Sequence, residues 1–375
     1  MAKATTKGKF GFLDEFNKST AKMEGIVTTS APPRYWHSFG NYLMNAIMAG
    51  DYQRGHAQGR ITGIVGPSGA GKSFIIGNSI REAQQDGALI LVIDSENALD
   101  DDYMTKIGVE VGEENGYYYR GVRTISQVTA VVSSFIKNYR KEFGTDEDAP
   151  KVFIAIDSLD MLMTDTELDH YNSGDQKGDQ GQRAKQIKAM LRTFVQDIKE
   201  LNVTMAVTGQ VYKNQDIKNG EGVWVVNDAV KYSLSQIIMV TKLKLKEGSG
   251  MGAEVTGIRL RANGYKTRFT KPFQAIELEV PYDDGIDPYS GLLEAAVSQK
   301  IVTQGGAWYT LNSSGAKFQR KNFSEHKEQI LKELSESKNP LMAVSDEDED
   351  TTNTTRKSAV QALLENIEGK GSVED

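Results

Sequence analysis

The octapeptide GPSGAGKS at 66–73 carries the densest chemistry in the sequence. Gly66, Gly69 and Gly71 let a backbone turn its N–H groups inward toward an anion. Pro67, Ser68 and Ala70 complete the loop. Lys72 adds a cation at the β and γ phosphates of a nucleotide, and the Ser73 hydroxyl is a ligand for Mg²⁺. Such a site also needs a second carboxylate for the metal and a group that orients or deprotonates water. Asp157, closing KVFIAID, fits the first need, and Glu96, in LVIDSEN, fits the second. Gln210, closing VTMAVTGQ, offers an amide to a γ phosphate. Plainer readings stay open on residue type alone. Asp157 would serve as a strand cap, Glu96 as an ordinary acid after a strand, and Gln210 as a turn residue.

These side chains need elements to hold them. RITGIVG before the glycine loop reads as a short strand, and SFIIGNSIREAQQ after it as a helix, which is the context the loop requires. ALILVIDSE, KVFIAIDSL and VTMAVTGQ are continuous apolar runs of the kind buried on both faces of a parallel sheet. TISQVTAVVSSFIKNYRKEF spaces Val128, Val131, Val132, Phe135, Ile136 and Tyr139 as a helix face. IKAMLRTFVQDIKEL does the same with Ile187, Met190, Leu191, Phe194, Ile198 and Leu201. Strands alternating with helices predict an α/β fold with a mainly parallel central sheet flanked by helices. From 236 to 282, QIIMVTKLKLK, VTGIRLR and FQAIELEVPY predict added antiparallel strands. PYSGLLEAAVSQKI predicts a helix and GAWYTL a closing strand.

Composition sets limits. The chain of 375 residues has 39% apolar and 25% charged content, which suits a soluble globular protein. No run approaches the ~18 apolar residues of a membrane span, and the lysine-bearing N-terminus lacks an apolar core behind it. These features fit a cytoplasmic protein. With no cysteine and four scattered histidines, a cysteine zinc site, a disulfide and a thiol nucleophile are excluded. The net charge of −7 is uneven. Residues 340–375 carry nine acids and three bases, whereas 231–271 carry nine bases and two acids. The basic stretch is either a phosphate-facing patch or a solvated ribbon. Residues 1–33 read as a polar arm with one short helix, FLDEFNKS, and 340–375 as an acidic, largely disordered tail.

Taken together, GPSGAGKS, LVIDSENALDDDYMTKIGV, VFIAIDSL, RAKQIKAMLRTF, VTGQ, YKTRFTKPF, DDGIDPYSGLLEAAV and GGAWYTL resemble the RecA family of recombinases, most closely the UvsX-type recombinases of phages. The resemblance runs from about 34 to 311. It implies a RecA-like P-loop NTPase core at 34–311, with a helical extension at 312–339 before the acidic tail; the arm at 1–33 matches no sharp motif and is assigned to subunit contact by position only. It implies Glu96 as the water-activating glutamate, Asp157 as the metal-site acid and Gln210 as the γ-phosphate sensor. Tyr103 would stack on adenine with Asp100 nearby, and Tyr282 would meet the base from an adjacent subunit. Lys266 and Arg268 would reach ATP across a filament interface and stabilise γ-phosphate charge. The family pair is more often Lys-x-Lys; the Arg keeps the charge and adds a forked geometry. Membership of a basic strand face is the plainer alternative for both.

The same resemblance implies ATP and Mg²⁺ as ligands, and single-stranded and homologous duplex DNA as partners. It also implies a helical filament of many copies, helped by single-strand-binding and mediator proteins. Two DNA-binding loops are expected, near 164–185 with Arg183 and Lys185, and near 211–230 with Lys213, Lys218 and Trp224. Trp224 fits a core aromatic equally well. The first loop is rich in acids, including Asp165, Glu167, Asp169, Asp175 and Asp179, which is not what phosphate attraction alone would choose. The implied activity is DNA-dependent ATP hydrolysis coupled to homologous pairing and strand exchange. A helicase or motor of the same fold and a non-catalytic accessory protein are the alternatives. DDGIDPYSGLL argues against the first, and the complete set of catalytic residues against the second.

Overall fold

The computed structural model describes residues 11–20, 32–175, 181–213, 224–226, 228–247, 254–281 and 285–337. The chain divides into two units, residues 1–35 and 36–375. Within the first, α1 spans Gly11–Thr20, where the FLDEFNKS helix is expected.

The second unit begins with β1 (Trp36–His37), α2 (Tyr42–Ala49), β2 (His56–Ala57), β3 (Ile61–Gly66) and α3 (Lys72–Gln85). Next come β4 (Leu89–Asp94), α4 (Asp101–Lys106), β5 (Tyr117–Gly121), α5 (Ile125–Phe143) and β6 (Val152–Asp157). Then follow α6 (Asp165–Ser173), α7 (Gln182–Ile198), β7 (Val203–Lys213), β8 (Trp224–Val226) and α8 (Asp228–Ser233). The chain continues with β9 (Gln236–Glu247), β10 (Glu254–Lys266), β11 (Ala275–Pro281), α9 (Leu292–Ser298), β12 (Val302–Gly305), β13 (Trp308–Leu311), β14 (Lys317–Gln319) and α10 (Lys327–Glu336).

A nine-stranded sheet runs in the order β11-β10-β9-β3-β7-β6-β4-β5, with β8 paired to β7. Every pairing from β9 to β5 is parallel. The pairings of β9 with β10, β10 with β11 and β7 with β8 are antiparallel. The apolar runs are continuous because both faces of the sheet are covered. On β4, Ile90 and Val92 join one core with Ile75, Ile76 and Ile80 of α3. Leu91 and Ile93 join the other, with Val128, Val132 and Ile136 of α5 and Leu191, Phe194 and Ile198 of α7. Phe194 is fully buried there, so trimming it to Ala would cost about 3–5 kcal/mol.

Three expectations need correction. The segment 164–185 is not an open loop among its described residues. Thr164 and Glu167 form a capping box that starts α6, and α7 already begins at Gln182. At its described ends the segment 211–230 is the end of β7, the paired strand β8 and the start of α8, because Val211 and Tyr212 extend a β-rich run that Val225 and Val226 can pair with, while the rest of the expected loop, 214–223 and 227, lies outside the described residues. GAWYTL forms a strand as expected, β13, in a separate three-stranded sheet, β12-β13-β14, and the extension at 312–339, expected to be helical, contains the strand β14 as well as α10. No helix among the described residues is long and apolar enough to cross a membrane.

Candidate nucleotide site

Strand register gathers the candidate residues along one edge of the sheet. Gly66 lies opposite Gln210, and Asp94 opposite Asp157. In open parallel sheets this carboxyl edge is where ligands bind.

The glycine loop turns between β3 and α3. Gly69 and Gly71 have φ of +67° and +94°, a region that side chains disfavour. At Gly66 the limit is space rather than φ, since a Cβ there would lie 2.3 Å from the Val240 carbonyl oxygen. The N-terminus of α3 directs its first N–H groups and the positive end of its dipole at the loop. The buried Lys72 Nζ donates to the carbonyls of Gly66 (3.2 Å) and Pro67 (3.0 Å). Burial lowers the Lys72 pKa, and Glu96, Asp157 and Asp160 counter that shift.

Asp157 is buried at the end of β6. Its Oδ1 accepts a short hydrogen bond from the Thr208 hydroxyl, and its Oδ2 is buried with no hydrogen-bond partner. Burial raises its pKa, while the hydroxyls of Thr208 and Ser73 lower it. A buried carboxylate oxygen without a partner beside a Ser hydroxyl is a donor set that fits Mg²⁺. The peptide joining Asp157 to Ser158 is cis.

Glu96 is held by its neighbours. The Ser158 hydroxyl donates to Glu96 Oε1 at 2.5 Å. Asp94, 2% exposed, accepts from the N–H groups of Glu96 (2.9 Å) and Asn97 (2.8 Å) on one oxygen. Its other oxygen accepts from Leu99 N–H (3.0 Å) and the Tyr119 hydroxyl (3.2 Å). The end of β4 is therefore folded over the site by one carboxylate. Asp100 caps α4 by accepting from the Tyr103 N–H at 2.9 Å. Tyr103 is half-buried, and burial raises its phenol pKa, as do Asp157 and Asp100.

A family comparison decides what this edge belongs to. The RecA N-terminal domain model matches residues 38–287.

The chain belongs to the RecA family.

Its relatives include the protein RecA of Clostridioides difficile, 26% identical over 314 residues, covering 82% of this chain and 84% of that protein. RecA of Staphylococcus aureus is 25% identical over 323 residues, covering 84% and 86%. RecA of Borreliella burgdorferi is 26% identical over 261 residues, covering 69% and 67%. The observed fold is accordingly the RecA-like α/β core with its extra antiparallel strands.

One group of candidates stays away from the RecA-family site within the chain. Lys266 pairs with Ile237 at the start of β9, beside Gly63 rather than Gly66. Its Nζ donates to the Lys231 carbonyl at 2.5 Å, and its pKa is lowered by burial and then by Arg268 and Lys231. Arg268 also depresses Arg60, after burial. This cationic cluster sits at the opposite end of the sheet from the glycine loop. Arg183 is in the first turn of α7, and Lys185, two residues later, is exposed. Lys213 ends β7 and Trp224 begins β8. Tyr282 and Lys218 lie outside the described residues.

Sequence reasoning missed Asp94, Ser158, Thr208 and Asp160 as site residues. Of these, Asp94, two residues before Glu96, carries an Asx-turn signal that could have found it. Thr208 and Asp160 have no local signal, because only strand register and a turn bring them to the site.

Proposed function

We propose that this RecA-family chain is an ATP-dependent recombinase that forms helical filaments on single-stranded DNA and catalyses homologous pairing and strand exchange. Family members act in recombination and repair as DNA-dependent ATPases. The observation that carries the proposal is the alignment of the glycine loop, Asp157, Glu96 and Gln210 along one sheet edge, with β7 running on from Gln210 to Lys213. A phosphate contact at Gln210 is thereby joined by covalent chain to a segment proposed for DNA.

In this reading the glycine loop and Lys72 bind the triphosphate of ATP, giving up the Lys72 contacts to loop carbonyls. Ser73 and Asp157 hold Mg²⁺, which when bound supplies charge neutralisation of the phosphates. Glu96, oriented by Ser158 and by the Asp94 turn, positions and deprotonates the attacking water. Tyr103 packs on the base, while Asp100 fixes the helix that carries it. Lys266 and Arg268 serve the nucleotide of a neighbouring copy, and Tyr282 meets its base. Their distance from the glycine loop of their own chain supports that arrangement. Arg183, Lys185, Lys213, Lys218 and Trp224 contact DNA phosphates and bases.

The finer assignments rest on sequence. DDGIDPYSGLL supports the phage UvsX-type branch, acting in a bacterial host cytoplasm with single-strand-binding and mediator proteins. The arm at 1–33 serves subunit contact, and the acidic tail competes with duplex DNA for the basic surface. The test is joint-molecule formation between single-stranded DNA and a duplex with ATP. Pairing with homologous duplex alone is the expected result. Unwinding of a duplex with no homologous strand present would replace recombinase by helicase.

A further inference from the structure

Asp160 lies three residues after Asp157, in the short turn Leu159–Met161 that follows β6. Its side chain is 14% exposed and it meets three residues on two elements, β7 and α7. Oδ2 accepts from the backbone N–H of Gln210 at 2.5 Å. Oδ1 accepts from the Tyr212 hydroxyl at 3.3 Å. The Arg183 guanidinium stands 3.7 Å from Oδ1 and donates a short hydrogen bond to the Asp160 carbonyl. A cavity of about 210 Å³ lies beside these groups, lined by Asp160, Arg183, Tyr212 and Ile187. Burial raises the Asp160 pKa, opposed by the Gln210 N–H, Arg183, Tyr212 and Lys72.

We infer that Asp160 is a positioning residue that couples nucleotide binding to both DNA segments, by tying the start of α7 and the end of β7 to the nucleotide edge through one carboxylate. This inference deepens the recombinase reading above and rests on it. The carboxylate has two cationic neighbours. Lys72 contacts the glycine loop, and Arg183 belongs to the first DNA segment. Phosphates that engage Lys72 withdraw one of these partners, so the Asp160 field falls more fully on Arg183. A shift of Gln210 toward a phosphate moves its N–H, and with it the carboxylate that holds Arg183. Charge-assisted bonds of this kind are about twice as strong as neutral ones. All three partners sit on regular elements or directly beside them, so little of a displacement is lost in loose chain.

A carboxylate that merely fills a buried turn would stabilise the fold without linking the segments, and the test separates the two. Hydrogen–deuterium exchange is followed in peptides covering 66–75, 181–190 and 206–213, with and without a slowly hydrolysed ATP analogue. In the intact protein the analogue slows exchange in all three. In Asp160→Asn the slowing persists at 66–75 and is lost at 181–190, with exchange there about tenfold faster than in the nucleotide-bound parent. Arg183→Gln reaches the same contact from the other side, and the double variant loses no more than either single one. In steady-state assays the ratio of DNA-stimulated to DNA-free ATP hydrolysis falls about tenfold in Asp160→Asn, with the KM for ATP within about twofold of the parent. Nucleotide-dependent slowing at 181–190 that survives Asp160→Asn, or losses that add fully in the double variant, would overturn the inference. An intact protein whose hydrolysis ignores DNA would sink the recombinase reading instead, and the exchange measurement would still judge the coupling.

Discussion

Replacing Asp94 by Asn keeps the size of the side chain and removes its charge and one acceptor. In the native protein the buried carboxylate accepts from four donors, two on each oxygen: the N–H groups of Glu96 and Asn97, then Leu99 N–H and the Tyr119 hydroxyl. An amide can satisfy one of these pairs. Its NH₂ group then faces the other pair, donor against donor. The Tyr119 hydroxyl can rotate to accept, but a backbone N–H cannot. One or two charge-assisted bonds are therefore lost at a site 2% exposed, a cost of about 3 kcal/mol. Urea unfolding monitored by far-UV circular dichroism reads that loss directly. The kinetic consequence follows from position, because the same bonds fold the Glu96 turn over the glycine loop. Displacing that carboxylate by about 1 Å should lower kcat for ATP hydrolysis about a hundredfold. The KM for ATP should move much less, since the phosphate loop itself is untouched. A stability loss under about 0.5 kcal/mol together with an unchanged kcat would refute the assignment of Asp94 as the residue that builds this turn.

Other consequences are as direct. Gly66→Ala places a Cβ 2.3 Å from the Val240 carbonyl oxygen, so a loss of about 2 kcal/mol in thermal unfolding is expected; an unchanged melting temperature would show that β9 yields freely. The buried His56 ring is held well below the ordinary imidazole pKa by burial and then by His37. The unfolded chain therefore takes the proton first, and stability present above about pH 6.5 is lost as pH falls. The raised pKa values of buried Asp157 and Asp160 act in the opposite sense. The decisive comparison is therefore the pH dependence of the melting temperature in the parent and in His56→Gln, with a shallower acid loss expected in the variant and identical slopes counting against it. Mixing Lys72→Ala protein with Arg268→Ala protein should restore part of the DNA-stimulated hydrolysis that each lacks, because a neighbour supplies the missing group; no recovery at any ratio would place Arg268 outside the shared site.

Much of the fold was readable because its signals are local. The run ALILVIDSE is apolar throughout, and β4 sends Ile90 and Val92 to one core and Leu91 and Ile93 to the other. The spacing of α7 named its buried residues, and that of α5 named Val128, Val132, Ile136 and Tyr139, with Val131 and Phe135 only partly buried and Ile125 missed. β5, with its sequence YYYRG, escaped because its pattern of half-exposed residues lacks the apolar run of a central strand. The helix at Asp165–Ser173 escaped because its acids suggested an open loop, although the Thr164–Glu167 capping box was present in the sequence. Within the site, residues that carry their own motif were legible, such as Lys72 and Ser73. Residues that matter through register were not. Thr208 meets Asp157 only because β6 and β7 are neighbours, and Asp160 meets Arg183 only because a turn and a helix start converge. Lys266 was legible as a cation, while its place at the far end of the sheet follows from the pairing of β10 with β9.

The central claim is a DNA-activated ATPase with Glu96 at its centre. Its most direct test is ATP hydrolysis with and without single-stranded DNA, for the intact protein and for Glu96→Gln. Strong stimulation by DNA in the intact protein and its loss in the variant, with ATP still bound, are expected. Hydrolysis indifferent to DNA, or stimulation that survives in Glu96→Gln, would contradict the claim.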